Sequence, residues 1–377
     1  MPDNPLMGRA GNLTRSLKLL EYLNKYGTES FEIEFLSIYD WGVWNENGIR
    51  NFNDCFPDFK LTIFDRKFTR MKPAVKLLYK AAVIIINIFR PKSIAITNYF
   101  FENKANQYIN AGQYDLIIVS YASWGNIIKN LRYDPYLILD THDFITAQSK
   151  KRKRNIGRIF QSELNVLRRF NEIWTLSIEE KYLYEQFTDS HIIHHPVSFR
   201  QLPLSNSSFH KYDILYVASH NPHNTASIDW FLKNVLPKIN NYTVHIAGSI
   251  CSEIKDEYHN VIKYGIVEDL DSFYKSTRIT ICPMLTGTGV KIKVLDSLSY
   301  NLPVITTTRG IDGLVNKTNN GCIVRDDPDG FAAAINQMIE DDSFYNKIRE
   351  EAHAYFKQNH DIKKEEEFFK KLFLEHS

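Results

Sequence analysis

The residues best suited to chemistry lie between Cys282 and Leu314, in CPMLTGTGVKIKVLDSLSYNLPVITTTRGIDGL. The apolar run before them predicts a buried strand ending at Cys282-Pro283. A turn with Gly287, Thr288 and Gly289 then leads into a helix expected to begin near Val290. Free backbone N–H groups at a helix N-terminus, with no Cβ to block approach, suit a phosphate or diphosphate. Lys291 and Lys293 put positive charge in the first turn, which opposes the helix dipole unless an anion sits there. Asp296, about one and a half turns further on, offers a carboxylate that can accept hydrogen bonds from two vicinal hydroxyls. Taken alone, the same residues also describe a glycine-rich turn with solvated lysines.

A second polar cluster, Asp140-Thr141-His142-Asp143, directly follows the apolar run YLIL. Ligands of open α/β sheets bind beyond the carboxyl ends of the strands, so this cluster is expected at a binding crevice. Asp140 and Asp143 read as structural partners that orient the histidine or cap a helix.

The string GTGVKIKVLDSLSYNLPVITTTRGIDGL resembles the donor-binding signature of the retaining glycosyltransferases of group 1 (family 4). In that signature a glycine-containing turn opens a helix of the form K-x-L-E-A-L-A-x-G-x-P-V-V-A-T, followed by G-x-x-G-L. Lys293-Val294-Leu295-Asp296-Ser297-Leu298 and Asn301-Leu302-Pro303-Val304-Ile305 reproduce it. The segments Arg9–Gly27, Leu215–Ile239 and Ala352–Lys364 are similar to other parts of the family, so the resemblance covers nearly the whole chain.

The resemblance implies an α/β protein of GT-B fold, with two Rossmann-like doubly wound parallel-sheet domains facing across a cleft. It implies transfer of a sugar, with retention of configuration, from a nucleoside diphosphate sugar to a hydroxyl of a glycan or lipid-linked glycan in polysaccharide or glycoconjugate synthesis. Neither a metal nor another cofactor is implied. His142 would lie beside the transferred sugar and Lys293 beside the diphosphate, as the catalytic pair. Gly287, Thr288, Gly289, Val290, Lys291, Lys293, Asp296, Gly11, Asn12 and Ser219 would bind the donor.

Two departures stand out. Asp296 and Thr288 occupy places where the family has glutamates, and the loop Ser219–Asn224 lacks the usual Arg and Lys. Thr288 reads as a subgroup mark more than as loss of activity; with the missing first strand it is the best support for the alternative, a non-catalytic GT-B subunit that binds a nucleotide or glycan. A nucleotide-sugar 2-epimerase shares the fold but needs further acid and base carboxylates, for which the sequence offers no candidates. A dehydrogenase is excluded because no G-x-G-x-x-G follows a strand.

Three other signals carry less weight. Asp269-Leu270-Asp271 has the D-x-D form of some metal sites but reads as the start of a helix, where the dipole favours carboxylates. The basic run Lys150–Arg154 reads first as a solvated face and second as a contact for anionic lipid or an anionic acceptor, with no RNA-binding motif around it. Pro73–Arg90 combines lysines with an apolar face; it reads first as an ordinary buried helix and second as one that docks on a bilayer.

Positioning these residues requires two α/β domains. Strands are expected at Phe31–Tyr39, Lys60–Phe64, Tyr114–Ser120, Tyr136–Asp140 and Glu172–Leu176. After a polar linker, Ser198–Lys211, they recur at Tyr212–Ala218, Thr243–Ala247, Val261–Tyr264, Arg278–Cys282 and Pro303–Thr306. Helical spacing is expected over Leu13–Tyr26, and Ser177-x-x-Glu180 reads as a capping box. The expected division is 1–197, 198–355 and a C-terminal helix over 356–377 that packs back on the first domain. Only seven residues precede Gly8, so the first domain is expected to lack its opening strand, or to have it truncated.

Composition agrees with this scheme. The chain has 377 residues, 44% apolar and 24% charged, with 46 Lys+Arg against 44 Asp+Glu. That balance excludes a general nucleic-acid coat. Glycine, at 16 residues, falls below the usual share of about 7%, so clustered glycines mark places where the backbone requires them. Four scattered cysteines disfavour both a zinc site and a disulfide framework. No signal peptide is evident, and the longest apolar run, Ala81–Phe89, is about half the ~20 residues a spanning helix needs. A cytoplasmic protein, at most peripheral on a membrane, is therefore expected.

Overall fold

The computed structural model describes residues 1–7, 11–66, 73–89, 93–148, 155–204 and 211–376. Gly8, Arg9 and the basic run at 150–154 lie outside the described residues. The chain divides into two compact units. Unit 1 takes residues 1–176, 180–195 and 366–377; unit 2 takes 177–179 and 196–365.

Unit 1 runs α1 (Gly11–Tyr26), β1 (Glu34–Ile38), α2 (Glu46–Cys55), β2 (Lys60–Phe64), α3 (Pro73–Phe89), α4 (Tyr99–Gly112), β3 (Leu116–Ser120) and β4 (Tyr136–Asp140). It continues with α5 (Ile145–Gln148), α6 (Ile156–Leu167), β5 (Glu172–Thr175), α7 (Ile178–Glu185) and β6 (His191–His194). All strand pairs are parallel, but they form two sheets, β1-β2 and β3-β4-β5-β6. The expectation of one doubly wound sheet is therefore met by a divided one. Residues 1–7 form turns and no strand, and they lie along β1, where Met1 N donates to Leu36 O at 2.9 Å and Ser37 Oγ to Pro2 O at 3.0 Å. Among the described residues no strand precedes α1 to join the two halves.

β5 is buried at every position, as a strand covered on both faces requires. One face of the four-stranded sheet packs Leu139 and Ile173 with Phe101, Ile109 and Leu167. The other packs Ile138 and Trp174 against Phe369, Leu372 and Phe373.

Unit 2 runs β7 (Tyr212–Val217), α8 (Pro222–Trp230), β8 (Val244–Ala247), β9 (Val261–Gly265), α9 (Leu270–Lys275), β10 (Thr277–Cys282) and α10 (Ile292–Ser299). β11 (Val304–Thr306), β12 (Cys322–Val324), α11 (Pro328–Glu340), α12 (Asp342–Asn359) and α13 (Ile362–His376) follow, the last passing into unit 1 at residue 366. Its six-stranded parallel sheet has the order β12-β11-β10-β7-β8-β9. The chain builds outward from β7 to one side, then returns to build β10 to β12 on the other. The carboxyl ends of β7 and β10 are thus the switch point, where open α/β sheets leave a crevice.

The polar segment expected as a linker is anchored where it is described. Leu202 N donates to Ser299 O at 2.9 Å, and Gln201 bonds to Asn301 and His353. The largest departure from expectation is α3. Its Leu77, Leu78, Ile84 and Ile85 are between 57% and 72% exposed, so it is not the ordinary buried helix its apolar content suggested.

Candidate active site

The glycine turn stands at the switch point of unit 2. Gly287 and Gly289 have φ of +101° and +75°, a left-handed backbone that glycine adopts without strain. The helix starts two residues later than expected, at Ile292, with Lys291 as its N-cap. Lys291 is 8% exposed, and its Nζ donates to Gly289 O at 2.6 Å and Thr288 O at 3.4 Å, with Asp312 at 4.0 Å. A trans peptide points its N–H opposite its carbonyl. Folding those carbonyls toward Lys291 therefore turns the N–H groups of Gly289 and Val290 the other way. From Gly287 to Lys293 the backbone N–H groups have no hydrogen-bond partner among the described residues. Val290 leans on Gly313 so closely that a Cβ there would lie 2.4 Å from its Cγ2.

Lys293 reaches the crevice from the first turn of α10. Its Nζ donates to Asn224 Oδ1 at 2.7 Å and lies 4.9 Å from the centre of the Tyr216 ring. Asn224, on α8, also donates to Ser219 O at 2.8 Å and so ties the loop after β7 to the lysine. His223 closes the side of the turn, its ring bonded to Thr286 at 2.7 Å, while His220 is exposed, 3.6 Å from Glu253. Thr288 is exposed at the tip of the turn.

Three ionisable groups here, Lys291, Lys293 and Asp296, are pushed toward neutrality. Burial lowers Lys293, and Lys291 nearby adds to the effect. Burial also lowers Lys291, against the pull of Asp312. Asp296, whose carboxylate has no hydrogen-bond partner among the described residues, is raised by burial to about 7. Lys291 has Asp312 at 4.0 Å and Lys293 donates to the neutral Asn224, so an anion between the lysines and the free amides would complete their charge.

In unit 1, β3 and β4 pair in register from Leu116↔Tyr136 to Ser120↔Asp140, so the residues after them emerge side by side. His142 has φ +58° and Tyr121 φ +68°; their rings stack at 4.2 Å with 19° between planes. A non-glycine residue held in this region signals a surrounding structure that imposes it. His142 is 6% exposed, its Nε2 lies 3.1 Å from Asp140 Oδ2, and its Nδ1 has no hydrogen-bond partner among the described residues.

Asp140 is gripped by Arg15, whose Nε donates to both carboxylate oxygens at 2.9 and 3.0 Å and whose Nη1 donates to His195 O at 2.8 Å. Burial alone would raise the Asp140 carboxyl, but Arg15 and His142 together hold it well below the carboxylate range. Burial pushes Asp3 upward, with His142 and the Trp41 indole pulling the other way. Gly11 and Asn12 open α1, one helical turn before Arg15.

The structure thus brings Gly287–Lys293, Asp296 and Ser219 together in unit 2, and joins the helix carrying Gly11 and Asn12 to the His142 loop in unit 1. Arg15, Tyr121 and Asn224 escaped sequence reasoning. Asp269 is the N-cap of α9, accepting from Ser272 N. No cluster of three or more potential metal ligands occurs among the described residues, and the four cysteines are free.

Residues 211–341 match the family model described as glycosyl transferases group 1. An "Uncharacterized 44.6 kDa protein in cps region" of Klebsiella pneumoniae is 27% identical over 203 residues, spanning 49% of this chain and half of that protein. Among solved structures, sucrose-phosphate synthase of Thermosynechococcus elongatus superposes with a TM-score of 0.67 at 12% identity, over 99% of this chain and 96% of that one. Anabaena HepE in complex with UDP gives 0.61 at 14% identity, over 95% and 94%. The chain has the GT-B fold of two Rossmann-like units, and its residues 211–341 are similar to the group 1 glycosyl transferases.

Proposed function

We propose that the protein transfers a sugar, with retention, from a nucleoside diphosphate sugar to a hydroxyl of a glycan or lipid-linked glycan in polysaccharide synthesis. The observation that carries this reading is the row of unpartnered N–H groups from Gly287 to Lys293, lying beside two lysines that burial pushes toward neutrality. A diphosphate satisfies both at once. As the sugar–oxygen bond breaks, the charge left on the leaving diphosphate grows, and donors fixed in advance stabilise it most at that moment. Asp296 would accept the ribose hydroxyls, an interaction that favours its ionised form. His142, held by Asp140 and Tyr121, would direct a ring nitrogen at the transferred sugar. The cps-region relative and the UDP-bound neighbour support the substrate class.

The test is to incubate the purified protein with individual nucleotide sugars, with and without acceptor glycans and in the presence of a chelator, and to measure free nucleoside diphosphate. Acceptor-dependent release that survives the chelator is expected. Binding without turnover of any donor or acceptor would instead support the non-catalytic subunit suggested by Thr288.

A further inference from the structure

The helix α3 presents an apolar face that no described residue of unit 1 covers. At 100° per residue, positions 74, 77, 78, 81, 84 and 85 fall within about 120° of arc. Four of them are the exposed Leu77, Leu78, Ile84 and Ile85, and Ala74 and Ala81 between them are also exposed. The opposite face attaches the helix to α4. There the Tyr79 ring lies 5.4 Å from Phe100, and its hydroxyl accepts from Asn98 Nδ2 at 2.8 Å. Single exposed aliphatic residues are ordinary, whereas a contiguous row on one helix is not. Tyr99 and Ile96, beside the start of α4, are 47% and 39% exposed.

In sequence, the stretch that holds this helix carries charge of one sign, while Asp40 pairs with Arg66 at 2.9 Å. Between Arg66 and Lys92 the sequence contains Arg66, Lys67, Arg70, Lys72, Lys76, Lys80, Arg90 and Lys92, and no aspartate or glutamate. The chain as a whole carries a formal charge of only +2. No helix among the described residues is long and apolar enough to cross a membrane. An apolar stripe flanked by basic residues, too short to span, suits the boundary between headgroups and acyl chains, with the lysines and arginines at lipid phosphates.

We propose that α3 docks the protein flat on an anionic bilayer, with Leu77, Leu78, Ile84 and Ile85 inserted below the headgroups. This inference goes beyond the sugar-transfer reading and does not rest on it. Its test contains neither donor nor acceptor.

The full chain is sedimented with vesicles of equimolar phosphatidylglycerol and phosphatidylcholine, and with vesicles of phosphatidylcholine alone. Binding to the anionic vesicles is expected, weakening as salt rises. The combined variant Leu77→Gln, Leu78→Gln, Ile84→Gln and Ile85→Gln should bind at least about tenfold more weakly. Because these side chains already face solvent, its melting temperature should stay within about 2 °C of the parent. Three results would overturn the proposal: no binding to anionic vesicles, binding indifferent to lipid charge, or equal binding by the variant. A lipid-free dimer that the variant converts to monomer would identify the face as a contact between copies and overturn it as well.

Discussion

The two polar sites of this protein bury charge in opposite ways. Around His142 the charge is complete. Arg15 and Asp140 neutralise each other through paired hydrogen bonds, and the Asp140 carboxylate stays ionised at any ordinary pH. Around the glycine turn it is incomplete, with two lysines and Asp296 all displaced toward their neutral forms. The first arrangement is a finished scaffold that holds a histidine in a strained backbone. The second is stabilised only by something that arrives. Buried charge by itself does not distinguish structure from function; here the two sites differ in whether the buried charge already has an ionic partner.

The comparison can be broken most forcefully at Asp140. Asp140→Asn leaves Arg15 buried without its counterion and should cost about 3–5 kcal/mol, read as a large fall in melting temperature. A small fall would show that the pair is not structural. The same linkage gives a pH signature. Because the folded pKa is depressed, the stability from Asp140 is present above its unfolded pKa and is lost only as strong acid protonates the folded carboxylate.

Lys293→Met should do the reverse. Sugar transfer should fall by about 10²–10³-fold, while melting temperature holds or rises because a poorly compensated charge has gone. A nucleoside diphosphate at about 100 times its Kd should stabilise the parent by about 2.7 kcal/mol. In differential scanning calorimetry Lys293→Met should lose most of that gain. An equal gain in both proteins would place the nucleotide elsewhere.

The smallest effect is expected at Asp296. Its folded pKa is raised to about 7, so the folded state keeps its proton longer than the unfolded state does. Stability should therefore decline as pH rises from the ordinary aspartate value toward 7, then level off. Asp296→Asn should remove that decline and be the more stable protein at pH 8. Bound nucleotide should narrow the difference if the ribose meets this carboxylate. A flat profile in the parent would contradict the assigned burial.

The α/β pattern was legible in the sequence wherever apolar runs were continuous. Lys60–Phe64 and Tyr136–Asp140 are strands at the expected bounds. β6, reading HIIH, and β12, reading CIV, are too short and too polar at their ends to declare themselves. Their pairing comes from neighbours already in the sheet. Arg15 could not be recognised as a buried ion-pair partner because Asp140 lies 125 residues away. Asn224 resembles any polar residue near a helix start until β7 and β10 are seen to be adjacent. For α3, apolar content suggested burial, but composition records only what a helix would bury and not whether anything covers it. The glycine turn was the most readable part of the candidate site, because turn geometry and free helix N–H groups are local properties.

The C-terminal helix has a consequence for the order in which the chain matures. Unit 2 is completed by residues 196–365, whereas unit 1 lacks Phe369, Leu372 and Phe373 until all of unit 2 has been made. Translation therefore delivers a nearly complete unit 1 with the apolar side of Ile138 and Trp174 uncovered, and unit 2 can close before it. This topology lets the second unit close first, the reverse of the usual order. A chain released at residue 365 would keep its candidate donor site and expose the sheet of the other unit to aggregation.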